Sequence, residues 1–322
     1  MNAIERRIRD LNNLRPDLTA REDLQQYWEE TLQSFKDKPL NSSRTRVDSH
    51  LEGMEAYEVR FEGFDGTPIR GTYVHPAGKG ERQWPCIVTY PGYQGTYFEP
   101  ESLAMWACAG YAILAIDVRG QKGGTGSELA FDSGVIKGFV SQNITDKYSC
   151  YYRAILVDCL KGLEWAAQQP EVDKERVATV GSSQGGGLAL LTAALSDVPS
   201  VAVAHVPNMC CIDYSMLYST GSATELSQYC EVYPDRLEQV LETVSYFDMH
   251  NLADRIRIPV FVSVCLKDLV CMPETIFPMY NRIASHKEME IYPFSGHTVG
   301  SHQLKAGMAF MKKHLARADE QK

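Results

Sequence analysis

The chain has 322 residues and a hydrophobic content of 44%, enough to fill one α/β core of ordinary size with extensions. Its formal net charge of −9 excludes nucleic acid and anionic membrane surfaces as expected partners, because both attract basic patches. Nine cysteines, an odd number without a C-x-x-C pair, exclude a disulfide framework and predict reduced thiols in the cytoplasm.

The first 45 residues are polar and contain one predicted helix, from Arg21 to about Lys36. They include no apolar signal segment, and no stretch of the chain reaches the length of a membrane span, so we expect neither a leader nor a membrane partner. The apolar side chains of this helix fall on one face, as in Leu24, Tyr27 and Trp28. We therefore expect residues 1–45 to form a helical arm that packs on the core.

From about residue 51 the chain alternates between short strands and helices. Residues 56–61 and 69–74 alternate apolar with polar side chains, which predicts an antiparallel hairpin. A strand at 86–90, a helix at 99–108 and a strand at 112–117 follow. This order predicts a mostly parallel, doubly wound α/β sheet with helices on its faces, within one domain that spans residues 1–322.

Two stretches do not fit the alternation of strands and helices. One is a Gly-rich loop from 121 to about 148, and the other is a helical insertion at 207–256, which we expect to act as a lid. Residues 119–126 are rich in glycine but lack the G-K-[ST] ending of a phosphate-binding loop. The chain has neither an H-E-x-x-H motif nor a Cys/His cluster, so we expect no metal and no cofactor.

The motif Gly181-Ser182-Ser183-Gln184-Gly185 joins a β-branched strand at 176–180 to a helix at 188–195. In a G-x-S-x-G turn the serine stands on a sharp bend between a strand and a helix, as in α/β hydrolases. Side chains two residues before and after the serine would collide there, so both positions require glycine. Only Ser183 has glycine at both distances, and we interpret Ser182 as a local hydrogen-bonding residue.

A serine nucleophile needs a base, and the base needs an orienting carboxylate. Asp268 follows a predicted buried strand at 258–265, and His297 lies in the loop after the next strand, at 287–292. The order Ser, Asp, His is that of α/β hydrolases, and the carboxyl ends of parallel strands meet at one edge of a sheet. We therefore predict that Ser183, Asp268 and His297 meet there as nucleophile, acid and base.

Other acidic and histidine side chains are weaker candidates for these roles. Asp213 and Asp254 compete with Asp268, but neither follows a strand in the right order. His205 ends a short apolar strand and either lines the site or packs in the core, with packing favoured. His302 falls inside the predicted last helix.

These motifs resemble the cephalosporin C deacetylase / acetyl xylan esterase family, carbohydrate esterase family seven. Arg119-Gly120-Gln121 matches the R-G-Q of the family, residues 181–185 match its G-x-S-Q-G, and Asp268 and His297 follow in the same order. The similarity extends over nearly the whole chain, including residues 90–95 and 245–248. One position departs, because Thr298 stands after the histidine where the family has Glu.

The resemblance implies an α/β-hydrolase fold and an intracellular esterase that removes acetyl groups from small acetylated sugars, xylo-oligosaccharides and the cephalosporin side chain. It also implies a ring-like homohexamer. The backbone N–H of Gln184, which follows the nucleophile, is one expected oxyanion donor. The resemblance gives the N–H of Tyr93 as the other. Arg119, Gly120 and Gln121 are expected to be structural.

Three further expectations concern substrate range and assembly. The alternatives to a deacetylase are a general short-chain carboxylesterase, a peptidase of the same fold and a non-catalytic binding protein. We expect aromatic side chains of the insertion to narrow the entrance and exclude long acyl groups; they are Tyr214, Tyr218, Tyr229 and Tyr233. We expect the arm and the Gly-rich loop to supply oligomer contacts, since the loop carries apolar side chains at Phe131, Val135, Ile136, Phe139 and Val140.

Overall fold

The sheet of this protein has nine strands among the residues that the computed structural model describes, which are 1–78, 83–95, 98–131, 134 and 136–317. The strands are β1 Ser43–Val47, β2 Met54–Glu62, β3 Pro68–Pro76, β4 Trp84–Tyr90, β5 Ala112–Ile116, β6 Val172–Ser182, β7 Val201–His205, β8 Val260–Cys265 and β9 Lys287–Tyr292. Their order across the sheet is β1-β2-β3-β5-β4-β6-β7-β8-β9.

Strands β4 to β9 are parallel to one another, and β1, β2 and β3 add an antiparallel edge next to β5. The predicted parallel sheet with an antiparallel lead-in is thus confirmed, with β1 as an additional strand that the sequence analysis missed. The carboxyl ends of β6, β8 and β9 lie at one edge of the sheet because the three strands run in the same direction.

Eleven α-helices lie within the described ranges. They are α1 Ala3–Asn12, α2 Leu24–Lys36, α3 Pro100–Cys108, α4 Tyr151–Ala167, α5 Gln184–Leu195, α6 Ile212–Tyr218, α7 Thr224–Val232, α8 Leu237–Ser245, α9 Met249–Leu252, α10 Pro273–Arg282 and α11 Ser301–Leu315. In this part of the chain, no helix combines the length and the apolar character that crossing a bilayer requires.

The core has two layers, one on each face of the sheet. Side chains of α4 and α5, such as Leu156 and Leu188, are buried on one face. Side chains of α3 and α11, such as Leu103 and Phe310, are buried on the other face. All five residues of β5 and of β7 are buried, as expected for parallel strands covered on both sides.

The N-terminal segment packs on the core through α2, the predicted helix. Trp28 is fully buried, and its indole N–H donates to the backbone carbonyl of Tyr246 at 2.9 Å. Its ring meets that of Phe247 edge-on, with 5.7 Å between centroids. The segment also contains α1, which was not predicted, and its last residues already belong to β1.

The Gly-rich loop between β5 and α4 folds back on its own chain. Val140 is buried, Phe139 stacks on Tyr151 with 5.8 Å between ring centroids, and Ile136 packs against the core. The loop thus buries these side chains itself, so they give no reason to expect an interface, and a contribution of the loop to oligomer contacts stays a prediction. Phe131 is half exposed, and Val135 lies outside the described residues.

Candidate active site

Ser183 stands on a sharp turn between β6 and α5. Its backbone has φ 56° and ψ −122°, a conformation that L-residues rarely adopt and that costs on the order of 1–3 kcal/mol. A Cβ at Gly181 would lie 2.2 Å from the backbone of Gly185, and a Cβ at Gly185 would lie 2.0 Å from the carbonyl oxygen of Tyr90. The turn therefore requires glycine at both positions, and it presents the serine hydroxyl beyond the end of the strand.

The structure brings the three predicted side chains together. His297 Nε2 lies 3.1 Å from Ser183 Oγ, and His297 Nδ1 lies 2.8 Å from Asp268 Oδ2. Asp268 is buried, whereas the His297 side chain is 30% exposed. The second carboxylate oxygen, Asp268 Oδ1, accepts the backbone N–H groups of Val270 at 2.8 Å and Cys271 at 2.9 Å. These bonds fix the orientation of the carboxylate towards the imidazole.

The weaker candidates have other interactions. Asp254 pairs with Arg282 at 3.4 Å, and in the described structure neither Asp254 nor Asp213 bonds to His297. His205 is buried, and its Nδ1 lies 3.0 Å from Ser263 Oγ. Burial lowers the pKa of His205 to about 4, so this histidine is neutral at pH 7 and packs in the core.

A cavity of about 410 Å³ opens in front of Ser183. Its lining residues are Gly92, Tyr93, Ser182, Ser183, Val206, Asn208, Gly221, Ser222, Val270, His297, Thr298 and Val299. The residue that departs from the family pattern, Thr298, thus borders this cavity. The insertion contributes Asn208, Gly221 and Ser222, and the four tyrosines expected at the entrance are absent from the lining. The lining of the cavity therefore does not support that expectation, and the tyrosines instead form two pairs, Tyr214 with Tyr218 and Tyr229 with Tyr233.

The side chain of Gln121 connects the segment after β4 to the first residue of α5. Its Oε1 accepts the backbone N–H of Gln94 at 2.7 Å, and its Nε2 donates to the side-chain oxygen of Gln184 at 2.9 Å. The same Nε2 donates to the hydroxyl of Tyr151 at 3.1 Å. Gln121 is buried and is not among the residues that line the cavity. It therefore holds the segment after Tyr93 against the start of α5.

Arg119 is fully buried and is held by two carboxylates that the sequence analysis missed. Its Nε and one terminal nitrogen donate to Asp158 at 2.6 and 2.8 Å, and the other terminal nitrogen donates to both oxygens of Asp65 at 2.8 Å. Gly120, the next residue, has φ +70°, which glycine adopts without strain. A buried arginine implies carboxylate partners, but nothing in the sequence indicates which ones.

The segment after β7 is a second strained feature that the sequence does not reveal. Val206, Met209 and Cys211 have positive φ values of 41°, 60° and 45°. A positive φ is uncommon for non-glycine residues and a clear outlier for a β-branched one. Val206 lines the cavity, and the Sγ of Cys271 lies 3.8 Å from Ser183 Oγ. The immediate surroundings of the nucleophile therefore include a buried thiol.

Within the described ranges, one group of side chains could hold a metal ion, and it lies away from the cavity. His286, Glu288 and His314 bring their donor atoms within 4.8 Å of one another. His286 precedes β9, at the opposite end of the strand from His297, and Lys313 donates to Glu288 at 3.0 Å. The ammonium of Lys313 competes with a cation for this carboxylate.

Comparison with known proteins gives close similarity over nearly the full length. The family model "Acetyl xylan esterase (AXE1)" matches residues 1–314. The chain is 24% identical to the acetyl esterase Axe7A of Xylanibacter ruminicola, over 94% of this chain and 69% of that one. It is similar in structure to an acetyl xylan esterase from Paenibacillus sp. R4, with a TM-score of 0.93 and 35% identity, covering 95% of this chain and 99% of that one.

Two further solved structures bear on the fold. The acetyl xylan esterase 1 of Thermoanaerobacterium sp. JW/SL YS485 has a TM-score of 0.90 and 27% identity, covering 96% of this chain and 99% of that one. An acylaminoacyl peptidase, at 20% identity and a TM-score of 0.60, matches 82% of this chain but 41% of its own length, and shares the fold alone. The chain therefore belongs to the acetyl xylan esterase family and is a carboxylic ester hydrolase of the α/β-hydrolase fold.

Proposed function

We propose that this protein is a serine esterase that removes acetyl groups from small acetylated carbohydrates, such as xylo-oligosaccharides, and from cephalosporin C. The observation that carries the proposal is the hydrogen-bonded series Asp268, His297, Ser183, with distances of 2.8 and 3.1 Å, at the edge of an open cavity. The family and the acetyl esterases among its relatives support an acetyl ester as the substrate class.

In the proposed first step, Ser183 Oγ attacks the acetyl carbonyl carbon while His297 Nε2 accepts the hydroxyl proton. The tetrahedral intermediate collapses, the bond to the sugar oxygen breaks, and His297 returns the proton to that oxygen. The acetyl group remains on Ser183 as an ester. Water then attacks this ester while His297 accepts the proton of the water. The second tetrahedral intermediate collapses, His297 returns the proton to Ser183 Oγ, and acetate is released.

Asp268 keeps the imidazole of His297 in the tautomer that this chemistry needs. Its buried carboxylate accepts a hydrogen bond from the Nδ1–H group, which leaves the lone pair of Nε2 directed at Ser183. The same carboxylate stabilises the imidazolium that forms in each step. Because its other oxygen is held by two backbone N–H groups, the carboxylate is oriented before the substrate binds.

The negative oxygen of the tetrahedral intermediate needs fixed donors. We assign the backbone N–H groups of Gln184 and Tyr93 to this role, since Gln184 follows the nucleophile and Tyr93 borders the same cavity. Removing one such donor typically costs a factor of about 10²–10³ in kcat. Gln121 supports both segments through its side-chain amide.

A panel of esters and one amide tests this function. The proposal expects hydrolysis of p-nitrophenyl acetate, acetylated xylo-oligosaccharides and cephalosporin C, much slower hydrolysis of octanoyl esters, and none of an aminoacyl-nitroanilide. Ser183→Ala should lower kcat by roughly 10⁶, and the matched variant Ser182→Ala should retain most activity. Equal kcat/KM for acetyl and octanoyl esters would favour a general carboxylesterase, and cleavage of the anilide would favour a peptidase.

We also propose a cytoplasmic homo-oligomer, with a hexamer as the expected form. All nine cysteines are free, which fits a reducing compartment. Large apolar side chains are exposed on the insertion and on the loops after β8 and β9, as in Leu217, Leu269 and Phe294, and such surface is typical of an interface. Light scattering after size exclusion tests the assembly, because a mass of one chain would exclude it.

A further inference from the structure

We propose that Glu225 is a positioning residue for the oxyanion hole, acting through Tyr93. The inference rests on the proposed esterase mechanism, in which the backbone N–H of Tyr93 binds the oxyanion. Glu225 lies in the first turn of α7, within the insertion between β7 and β8. It is distant in sequence from both oxyanion donors and belongs to none of the sequence motifs by which the family is recognised.

Glu225 is bonded to two other segments that surround the active site. The hydroxyl of Tyr93 donates to Glu225 Oε1, and the backbone N–H of Val140 donates to Oε2 at 3.1 Å. The backbone N–H of Phe139 in turn donates to the Tyr93 hydroxyl at 3.2 Å. A single carboxylate thus connects the insertion, the Gly-rich loop and the segment that carries the proposed oxyanion donor.

The backbone of the Gly-rich loop approaches this carboxylate closely. Gly138 has φ +49°, and a Cβ at this position would lie 2.0 Å from Glu225 Oε1. Any larger residue at 138 would displace the carboxylate from the Tyr93 hydroxyl. The glycine at this position is therefore explained by the approach of the loop to Glu225.

The carboxylate is buried without a cation in contact with it. Glu225 is 3% exposed, and it forms no salt bridge with a lysine, arginine or histidine in the described part of the chain. Burial raises the pKa of this carboxyl group, and the hydrogen bond from Tyr93 opposes that effect. The charge of Lys137 also lowers this pKa, so the carboxylate is compensated by hydrogen bonds and by a nearby charge without an ion pair. Its one side-chain hydrogen-bond partner in the described part of the chain is Tyr93, which points to the placement of that residue.

Tyr93 is held at two points, and Glu225 provides one of them. Gln121 accepts the backbone N–H of Gln94, and this bond fixes the chain directly after Tyr93. Glu225 fixes the far end of the Tyr93 side chain. An oxyanion donor must stay within about 0.5 Å of its productive position, so loss of either anchor should weaken the bond to the transition state more than the binding of the substrate.

The test compares Glu225→Gln, Tyr93→Phe and the double variant with two controls on the same helix. In Glu225→Gln, the amide oxygen would accept the Val140 N–H, and the amide N–H₂ would face the Tyr93 hydroxyl, whose oxygen already accepts the N–H of Phe139. The charge-assisted bond from the Tyr93 hydroxyl to the carboxylate is therefore lost. Tyr93→Phe keeps the ring and the backbone N–H and removes only the hydroxyl. The controls are Glu231→Gln, an exposed carboxylate, and Tyr229→Phe, which removes a buried hydroxyl that accepts from Arg236.

The concentration of active sites is measured by burst titration, so that kcat refers to folded enzyme. We expect Glu225→Gln and Tyr93→Phe each to lower kcat for p-nitrophenyl acetate about tenfold, which is less than the effect of removing an oxyanion donor. KM should stay nearly constant, and the inhibition constant of a boronic acid that mimics the tetrahedral intermediate should rise by the same factor as kcat falls. The double variant should be no slower than Tyr93→Phe, because that change already removes the bond that Glu225→Gln loses. The controls should keep wild-type kcat.

A lower melting temperature with unchanged kcat and unchanged boronate affinity in both single variants would overturn the inference, since Glu225 would then be structural only. Additive losses in the double variant would also overturn it. If Glu225→Gln fails to fold, Tyr93→Phe alone decides, because it leaves the carboxylate in place. Full activity of Ser183→Ala would instead contradict the proposed function, so the two failures are distinguishable.

Discussion

Asp268→Asn isolates the role of the acid, because the surroundings of the carboxylate dictate how an amide would sit. Two backbone N–H groups, from Val270 and Cys271, donate to Oδ1 at 2.8 and 2.9 Å. An asparagine must place its carbonyl oxygen there, so its N–H₂ group faces His297 Nδ1. Nδ1 then has to accept a hydrogen bond from this amide, so the imidazole proton lies on Nε2. Protonated Nε2 points its N–H at Ser183 and cannot accept the serine proton.

The expected loss follows from this tautomer. An enzyme with the wrong imidazole tautomer and intact geometry loses a factor of about 10⁴ in kcat, or roughly 5.4 kcal/mol at 1.36 kcal/mol per tenfold change. The fold should persist, since both backbone bonds at Oδ1 are retained. Initial rates on p-nitrophenyl acetate give kcat and KM, and thermal unfolding followed by circular dichroism gives the stability.

Asp254→Asn is the matched control, because this carboxylate is exposed and pairs only weakly with Arg282. It should retain wild-type kcat. A kcat above a tenth of wild type in Asp268→Asn would show that Asp268 does not set the tautomer of His297, and a large loss in Asp254→Asn with none in Asp268→Asn would make Asp254 the acid.

Three further predictions concern stability. Asp158→Asn leaves Asp65 to balance the charge of Arg119 but turns an amide N–H₂ towards the buried guanidinium donors, so it should lower the free energy of unfolding by about 1–3 kcal/mol in urea titrations. Gly185→Ala should abolish soluble active enzyme, whereas Gly126→Ala, where a Cβ meets nothing within 4 Å, should not. The pKa of His205 is about 4 in the folded state and 6.5 unfolded, so stability should fall by up to about 3 kcal/mol as pH drops from 6.5 to 4, and His205→Gln should flatten this loss.

The parts of the fold that carry the candidate site were predictable because each has a strong local signal. Strands β6, β8 and β9 are apolar or alternating, and parallel strands place whatever follows them at one edge of the sheet. The glycines around Ser183 reflect a steric requirement that does not depend on the rest of the molecule. Local sequence therefore sufficed to bring Ser183, Asp268 and His297 to the same place.

Other features depend on contacts between segments that are distant in sequence, and no local sequence pattern predicts them. Helix α4 is buried on nearly every side, so it lacks the apolar stripe by which α2 was recognised. Asp158 lies 39 residues from Arg119 in the chain, and Glu225 lies 132 residues from Tyr93. The positive φ of Val206 opposes the preference of a β-branched residue, so the surrounding structure must impose it.

If Ser183 is the nucleophile, the acetyl group of the substrate must pass through its hydroxyl oxygen as a covalent ester. Wild-type enzyme is mixed with p-nitrophenyl acetate, quenched in acid within the burst phase, digested and mapped by tandem mass spectrometry, with Ser183→Ala as background. We predict one acetyl group on Ser183 in near-stoichiometric amount and none at that peptide in the variant. Acetylation of Cys271, whose sulfur lies 3.8 Å from the serine oxygen, or of another residue with Ser183 unmodified, would contradict it.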